Sequence, residues 1–382
     1  MSINTDSPDT SYTSPLLSRP GAVSAQPEDP HASALDAAGV AWHYGAPLEE
    51  QRQLSRGPIV IDRSQRTVLE ISGPDAPQFL NNLLSQKLDD APSGFSASAL
   101  DLDINGRVLH YLQLSRIDNS FYLDLPAAAA ISLKSFLERM VFWSKVSIKT
   151  TDLGILTILG KNFSLPENLP GLLLAREVEW AGPARTDLLI TRTELIAATA
   201  RLEANGLKLA GLMAFTAERV KALEPELPVD LDDKSIPHEV YHWIGRPELN
   251  RIGAVHLEKG CYRGQETVAR VENLGRSPRL LVIVHLDGSS PELPTPGTPI
   301  TQGNPEGRAL GRIGTVVHDE SYGPIALAIL KRSALNRSGL TAGYTALNID
   351  TDSIPTEEGE KAGRAAINRL KTLGDLGVDS LR

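Results

Sequence analysis

The chain has 382 residues, 41% of them hydrophobic, and carries 38 basic against 47 acidic side chains for a formal charge of −9. That length supports a sizeable core in two or three domains, and the acidic balance argues against a protein whose main task is gripping a nucleic-acid backbone. The single cysteine, Cys261, excludes an internal disulfide and any zinc or iron–sulfur site built from several thiolates of one chain. With no basic-then-apolar leader near the N-terminus, a soluble protein of the reducing cytoplasm is expected. The longest apolar runs, near 280–286 and 325–330, are far too short to span a bilayer.

Residues 1–34 contain 7 Ser, 5 Pro and 3 Thr with few large apolar side chains, a composition that predicts a disordered tail. Globular composition begins at about residue 35. Residues 59–61 and 68–71 read as strands. Asp75 and Pro77 then open a helix whose Phe79, Leu80, Leu83 and Leu84 share a face. The alternating stretch ALDLDINGRVLHYLQLS carries Asn105-Gly106 at its centre, the signal for a hairpin closed by a type I′ turn. FYLDLP continues as a strand, PAAAAISLKSFLERMVFW as an amphipathic helix, and VSIKT, GILTILG and DLLITR as further strands. Thr191 and Glu194 form a capping box for a helix ending at Asn205-Gly206, and another helix covers about 212–223. Strands and helices without regular βαβ spacing predict an α+β region over 35–275.

After about residue 276 the texture shifts to short β-rich runs between Pro- and Gly-containing turns, predicting a small β-barrel over 276–350. Residues 351–382 form a tail with one helix, capped by Thr356 and stopped at Gly374.

Two local patterns carry candidate chemistry. Residues 238–242, HEVYH, formally fit a zinc-hydrolase motif, with His238 and His242 as ligands on one helix face and Glu239 as general base. Pro237 before it and Gly245 and Pro247 after it leave barely two turns of helix, so the zinc hydrolase is kept as a remote alternative. The second pattern is KGCYRGQE, residues 259–266. Gly260 and Gly264 permit a tight loop around Cys261 and Tyr262. Lys259 and Arg263 would lower the thiol pKa if they turned toward it, and Gln265 and Glu266 begin a helix with the thiol near its positive end. The competing reading makes Cys261 a small buried hydrophobe. Between 259 and 279, five basic residues face two acidic ones, a run read either as a solvated face or as steering for an acidic partner.

KGCYRGQE resembles the K-G-C-Y-x-G-Q-E signature of the YgfZ-type folate-binding proteins, relatives of the T-protein (aminomethyltransferase) of glycine cleavage. GPDAPQFLNNLL, LDINGRVLHYLQL, AGLMAFTAERVKALEPE and GRIGTVVHDESYGPIALAILKR resemble further segments of the same family, so that the likeness covers roughly 36–348. The resemblance implies a T-protein-like α+β folate-binding region followed by a C-terminal β-barrel. It implies tetrahydrofolate, or a one-carbon derivative, in a central cleft. It also implies support of iron–sulfur cluster assembly or repair, including for iron–sulfur enzymes that modify tRNA. The family's reactive cysteine corresponds to Cys261, beside Lys259 and Tyr262, with Gly260, Gly264, Gln265 and Glu266 completing the signature. The implied partners are folate and iron–sulfur enzymes or cluster-assembly proteins, with neither stable nucleic-acid binding nor a membrane.

Where the T-protein has G-G-V-I-D-D-L, this chain has Gly106 to Leu112 with His110 and Tyr111 at the two acidic positions. A His–Tyr pair cannot make the carboxylate's charge-assisted hydrogen bond, so a folate-dependent aminomethyl or one-carbon transferase is the alternative rather than the leading function. The T-protein's R-T-G-Y-T-G-E segment is represented only by residues 181–186, without its glutamate. By the same resemblance, Arg107, Asp101, Asp103 and Asn105 on the hairpin, and Arg219 on the later helix, are the candidate folate contacts, Arg107 foremost. Asn105 also suits its turn, and the two aspartates suit a solvated strand face.

Overall fold

Two apolar runs separated by four polar residues, at 59–62 and 67–72, enter different sheets, and everything between them is buried. The structure is a computed structural model and describes residues 12–356. Its elements run β1 (Val23–Ser24), β2 (Ala41–His43), α1 (Pro47–Arg56), β3 (Ile59–Asp62), β4 (Thr67–Ser72), α2 (Ala76–Leu83), β5 (Ser96–Leu102), β6 (Val108–Ile117), β7 (Ser120–Leu125) and α3 (Ala127–Arg139). There follow β8 (Ser147–Thr150), β9 (Leu153–Leu159), β10 (Leu172–Glu177), β11 (Arg185–Thr191), α4 (Leu195–Ala204), β12 (Lys208–Ala210), α5 (Leu212–Lys221) and α6 (Gln265–Leu274). The last third is β13 (Arg279–Leu286), β14 (Pro299–Gln302), β15 (Gly311–Asp319), β16 (Gly323–Lys331), β17 (Leu340–Ala342) and β18 (Thr345–Ile349).

One five-stranded sheet has the order β10-β11-β9-β3-β12 and the other β5-β6-β7-β4-β8. Only the β3–β12 pair is parallel. Strands β13 to β18 close a six-stranded antiparallel barrel. The fold is therefore α+β with a C-terminal barrel. Helices α2 and α3 bury Phe79, Leu80, Leu83, Leu133 and Leu137 against the second sheet, whereas α5 packs on the barrel and the first sheet together. No helix among the described residues is long and apolar enough to cross a membrane.

Four expectations change. Residues 12–34 are not a free tail. Leu16 is fully buried among Val60, Ile158, Leu188, Leu195 and Leu202, Ser14 donates to Asp62 at 2.5 Å, and Arg19 pairs with Glu203 at 2.8 Å. Ser and Pro serve here as caps and turns rather than as solvated filler. The 102–108 hairpin forms, but Asn105 keeps negative φ. The Asp103 carboxylate accepts the amides of Asn105 and Arg107, each at 2.8 Å, and only Gly106 adopts positive φ (75°), giving a type I turn with a glycine bulge. Thr191 makes no capping bond, since residues 192–194 form a 3₁₀ turn leading into α4. HEVYH forms two 3₁₀ turns broken at an extended Val240, so its histidines share no helix face. Residues 1–11 and the helix expected beyond 356 lie outside the described residues.

The packed N-terminal segment makes a direct prediction. Leu16→Ala should cost about 2–4 kcal/mol in urea unfolding, where a disordered position would lose nothing measurable.

Candidate functional site

The chain crosses from β3 to β4 through Arg63, Ser64, Gln65 and Arg66, all buried between the two sheets. Each sheet sends charged side chains inward to meet them. Arg66 Nε donates to Asp124 Oδ2 at 2.8 Å, and Arg176 bonds Asp124 Oδ1 and lies 3.3 Å from Asp187 Oδ2. Arg185 makes a two-point contact with Asp187, at 3.0 and 2.8 Å, and reaches both Glu224 oxygens at 3.1 and 3.2 Å. Arg63 donates to Thr157 at 3.1 Å and stacks on Phe215, 3.9 Å from the ring centroid.

Burial alone would raise the pKa of Asp187, but the guanidiniums of Arg185, Arg63 and Arg176 overcome it and hold the carboxyl well below the usual range. Asp124 is lowered likewise, Arg176 and Arg66 overcoming its burial. Asp36 behaves oppositely: burial, then the neighbouring Glu226, push it up to about 6.

Asp36, Arg63, Arg66, Arg176 and Arg185 line a central cavity with two lobes that share Tyr111, Gln113 and Glu224. One lobe, narrow at about 50 Å³, holds Asp36, Gln65, Arg63 and Arg66. The other, about 640 Å³, is walled by Arg176, Trp180, Trp243 and Arg251, a size that suits a small-molecule ligand. Trp180 stacks on Phe215 at 5.9 Å, and Tyr111 lies 4.9 Å from Trp243. Four buried polar atoms on the cavity residues have no partner: Asp36 Oδ2 and Gln65 Oε1 in the first lobe, Arg176 Nε and Arg251 Nη2 in the second. Such atoms are rare in folded proteins and ask for an explanation.

The 259–266 loop lines neither lobe and packs instead on the end of α2 and the tip of the β5–β6 hairpin. Cys261 is exposed, which decides against the buried-hydrophobe reading. Neither flanking cation is committed to it. Lys259 Nζ donates to three carbonyls, of Asn81, Leu84 and Gln86, at 2.6, 2.5 and 2.9 Å, capping the end of α2. It also sits 4.7 Å over the Tyr262 ring. Burial pushes this amine down to about 7, yet three acceptors for three N–H groups favour the ammonium. Arg263 turns to Asp101 Oδ1 at 2.6 Å and stacks on Phe136. Tyr262 is buried in the core under the barrel, and its amide donates to Gln265 Oε1 at 3.2 Å.

Gly264 (φ 82°) lies against Gly106 of the hairpin. A Cβ there would come within 2.6 Å of Asp103 O and 2.9 Å of Gly106 Cα. Gly260 has open space around it, and Glu266 is exposed. Nothing in the structure explains why those two residue types are present.

Of the expected folate contacts, Arg219 alone lines the cavity, and it is already tied to Asp230 at 2.8 Å, Thr315 at 2.6 Å and Glu224 O at 2.8 Å, joining α5 to the barrel. Asp103 and Asn105 close the hairpin turn, and Arg107 is exposed at its tip. Asp101 is no solvated strand residue: it is fully buried between Arg263 and His110. His110 and Tyr111 do face the cavity.

Around HEVYH, His238 lies 3.2 Å from Glu272, and Glu239 pairs with Arg279 at 2.8 Å. Burial lowers His242, which lines the cavity. No group of three or more His, Cys, Asp or Glu side chains among the described residues is arranged to hold a metal ion. Arg263 and Arg279 of the basic run are absorbed into ion pairs.

The two sheets, the barrel and the cavity between them define an aminomethyltransferase-like fold. Glycine cleavage system aminomethyltransferase T from Bartonella henselae superposes on 90% of this chain and 98% of its own, with a TM-score of 0.70 at 17% identity. No family model matches the chain. Among curated proteins, it is 24% identical over 286 residues to the tRNA-modifying protein YgfZ of Cronobacter sakazakii, covering 71% of this chain and 83% of that one. It is 23% identical over 279 residues to the mitochondrial iron–sulfur cluster assembly factor IBA57 homolog of Neurospora crassa, covering 66% of this chain but only 60% of that protein. The chain is thus a distant relative of the YgfZ and IBA57 proteins.

Two outcomes follow from this geometry. Gly264→Ala should destabilise by about 1–3 kcal/mol in urea titration, through the hairpin contact and the positive φ. Asp36, with its folded pKa raised above the unfolded value, costs stability as pH rises from about 4 to about 6, and that cost then stays constant. Asp36→Asn should therefore gain on the order of 2–3 kcal/mol over wild type at pH 7.5 relative to pH 4.

Proposed function

We propose that the chain binds a reduced folate, tetrahydrofolate or a one-carbon derivative, in the central cavity, and acts in the cytoplasm as an accessory protein of iron–sulfur cluster assembly or repair. Its clients include iron–sulfur enzymes that modify tRNA, and its partners are those enzymes or cluster-assembly proteins. The observation that carries the reading is the sorting of the unpartnered cavity atoms. Two acceptors, Asp36 Oδ2 and Gln65 Oε1, stand in one lobe, and two donors, Arg176 Nε and Arg251 Nη2, in the other. A pterin offers N–H donors at one end of the folate, and the glutamate tail offers carboxylates at the other. Tyr111, Trp180 and Trp243 give flat surfaces for the rings between. The relatives' names supply the cluster-assembly and tRNA context.

In this reading Cys261 works at the surface, where a partner can reach it. One thiolate cannot hold a cluster alone, so any cluster passing through it is shared with ligands from the partner. Folate, when bound, supplies a one-carbon carrier; the chain's own residues orient it and shield it from water.

Calorimetric titration with tetrahydrofolate should show saturable binding, weakened about tenfold in Arg251→Ala and in Gln65→Leu, the loss of roughly one hydrogen bond each. Cys261→Ser should bind folate like wild type yet fail to restore iron–sulfur tRNA-modifying activity in a strain lacking the protein. Absence of folate binding removes the cavity half of the reading, and full rescue by Cys261→Ser removes the thiol half.

A further inference from the structure

We propose that Ser132 is a nucleophile poised for acyl transfer from small aliphatic carboxylic esters, with His110 as its general base and Asp101 as the residue that positions the imidazole. The β5–β6 register sets Asp101 directly opposite His110. Asp101 is fully buried; its Oδ2 is 2.8 Å from His110 Nδ1, while Oδ1 is taken by Arg263. A carboxylate accepts only, so the neutral imidazole carries its proton on Nδ1, and the Nε2 lone pair faces Ser132 Oγ at 2.7 Å. This is the donor, relay and orienter arrangement that activates serine on unrelated folds.

A purely structural role does not require this chain. Ser132 is exposed on the second turn of α3, where water or the Ala129 carbonyl, 3.0 Å away, would satisfy its hydroxyl. Phe136, one helical turn after Ser132, carries the Arg263 guanidinium 4.0 Å above its ring. That places a cation beside the same face of α3, about one helical turn from Ser132.

In the reaction, Ser132 Oγ bonds to the ester carbonyl carbon as its proton passes to His110 Nε2. The intermediate collapses with cleavage of the carbon–alkoxy bond, and the imidazolium returns the proton to the departing alkoxide. Water then attacks the acyl-serine with His110 again as base, releasing the carboxylic acid and restoring Ser132. Cys261 takes no part, and because His110 also lines the first lobe, labelling is measured without added folate so that its outcome is read apart from folate binding.

The test uses the full chain and an alkyl fluorophosphonate, which forms an Oγ–phosphorus bond with loss of fluoride. Intact mass and peptide mapping should show one adduct, on Ser132, absent in Ser132→Ala, an exposed substitution that leaves the core untouched. His110→Gln should lower the maximal labelling rate at least about 100-fold. Asp101→Asn should lower that rate about tenfold or more while the half-saturating probe concentration stays within about twofold, a split that general destabilisation would not produce. No adduct at Ser132, an adduct only elsewhere, or wild-type labelling of Ser132 in a folded His110→Gln protein overturns the proposal.

Discussion

The structure depends on a charge network buried where the chain passes from one sheet to the other. Four guanidiniums, of Arg63, Arg66, Arg176 and Arg185, meet the carboxylates of Asp124, Asp187 and Glu224 almost out of water. Apolar side chains of similar volume would often hold two sheets together equally well, and removing one ion from such a network typically costs about 3–5 kcal/mol. A network like this is a weak argument for stability and a better one for a polar cavity of fixed shape. Arg63 is its least compensated member: burial, then Arg185 and Arg66, lower its affinity for its own proton. Asp36, nearby and resisting ionisation, is the matching surplus on the acidic side. The interior therefore keeps two buried charges, of Arg63 and Asp36, that their neighbours do not fully offset.

The loop that presents Cys261 is built on a different principle. Most of its distinctive residues serve to hold the backbone rather than to touch the thiol. Lys259 clamps one flank to the end of α2, Arg263 clamps the other to Asp101, Tyr262 is driven into the core, and Gly264 lets the hairpin tip press against it. The thiol's position is thereby fixed relative to both a helix end and a sheet edge while its sulfur stays in solvent. Rigid support around an exposed side chain reduces the entropy that any contact made there would cost.

Much of this was legible in the residues and some was not. Strand and helix positions followed from periodicity, because burying one face of an amphipathic segment dominates its energetics. The hairpin was readable from Asn105-Gly106, but its turn type was not: the Asp103 side chain supplied two acceptors that favour a different backbone, and dipeptide preference takes no account of them. The N-terminal segment misled over residues 12–34 because composition averages along the chain while anchoring depends on a few side chains, Leu16, Ser14 and Arg19. The cavity charges were overlooked although a signal existed. Asp124, Arg176 and Asp187 each interrupt an apolar strand, in FYLDL, LLLARE and RTDLLIT, where a lone charge must find a buried partner. That they converge needs the topology, which strand order alone does not disclose.

The placement of Leu16 also bears on the order in which the chain acquires structure during synthesis. Its burial partners include Leu188, Leu195 and Leu202, and β3 takes its place between β9 and β12. A ribosome must therefore deliver roughly the first 200 residues before the N-terminal segment and the first sheet can close. The second sheet, made wholly from Thr67–Ser72 through Ser147–Thr150 with its own helices α2 and α3, can assemble earlier as a local unit. Apolar strand Ile59–Asp62 lacks its β9 neighbour until residue 159 is made and keeps its β12 edge open until residue 210, a condition in which a nascent strand is open to capture by another chain.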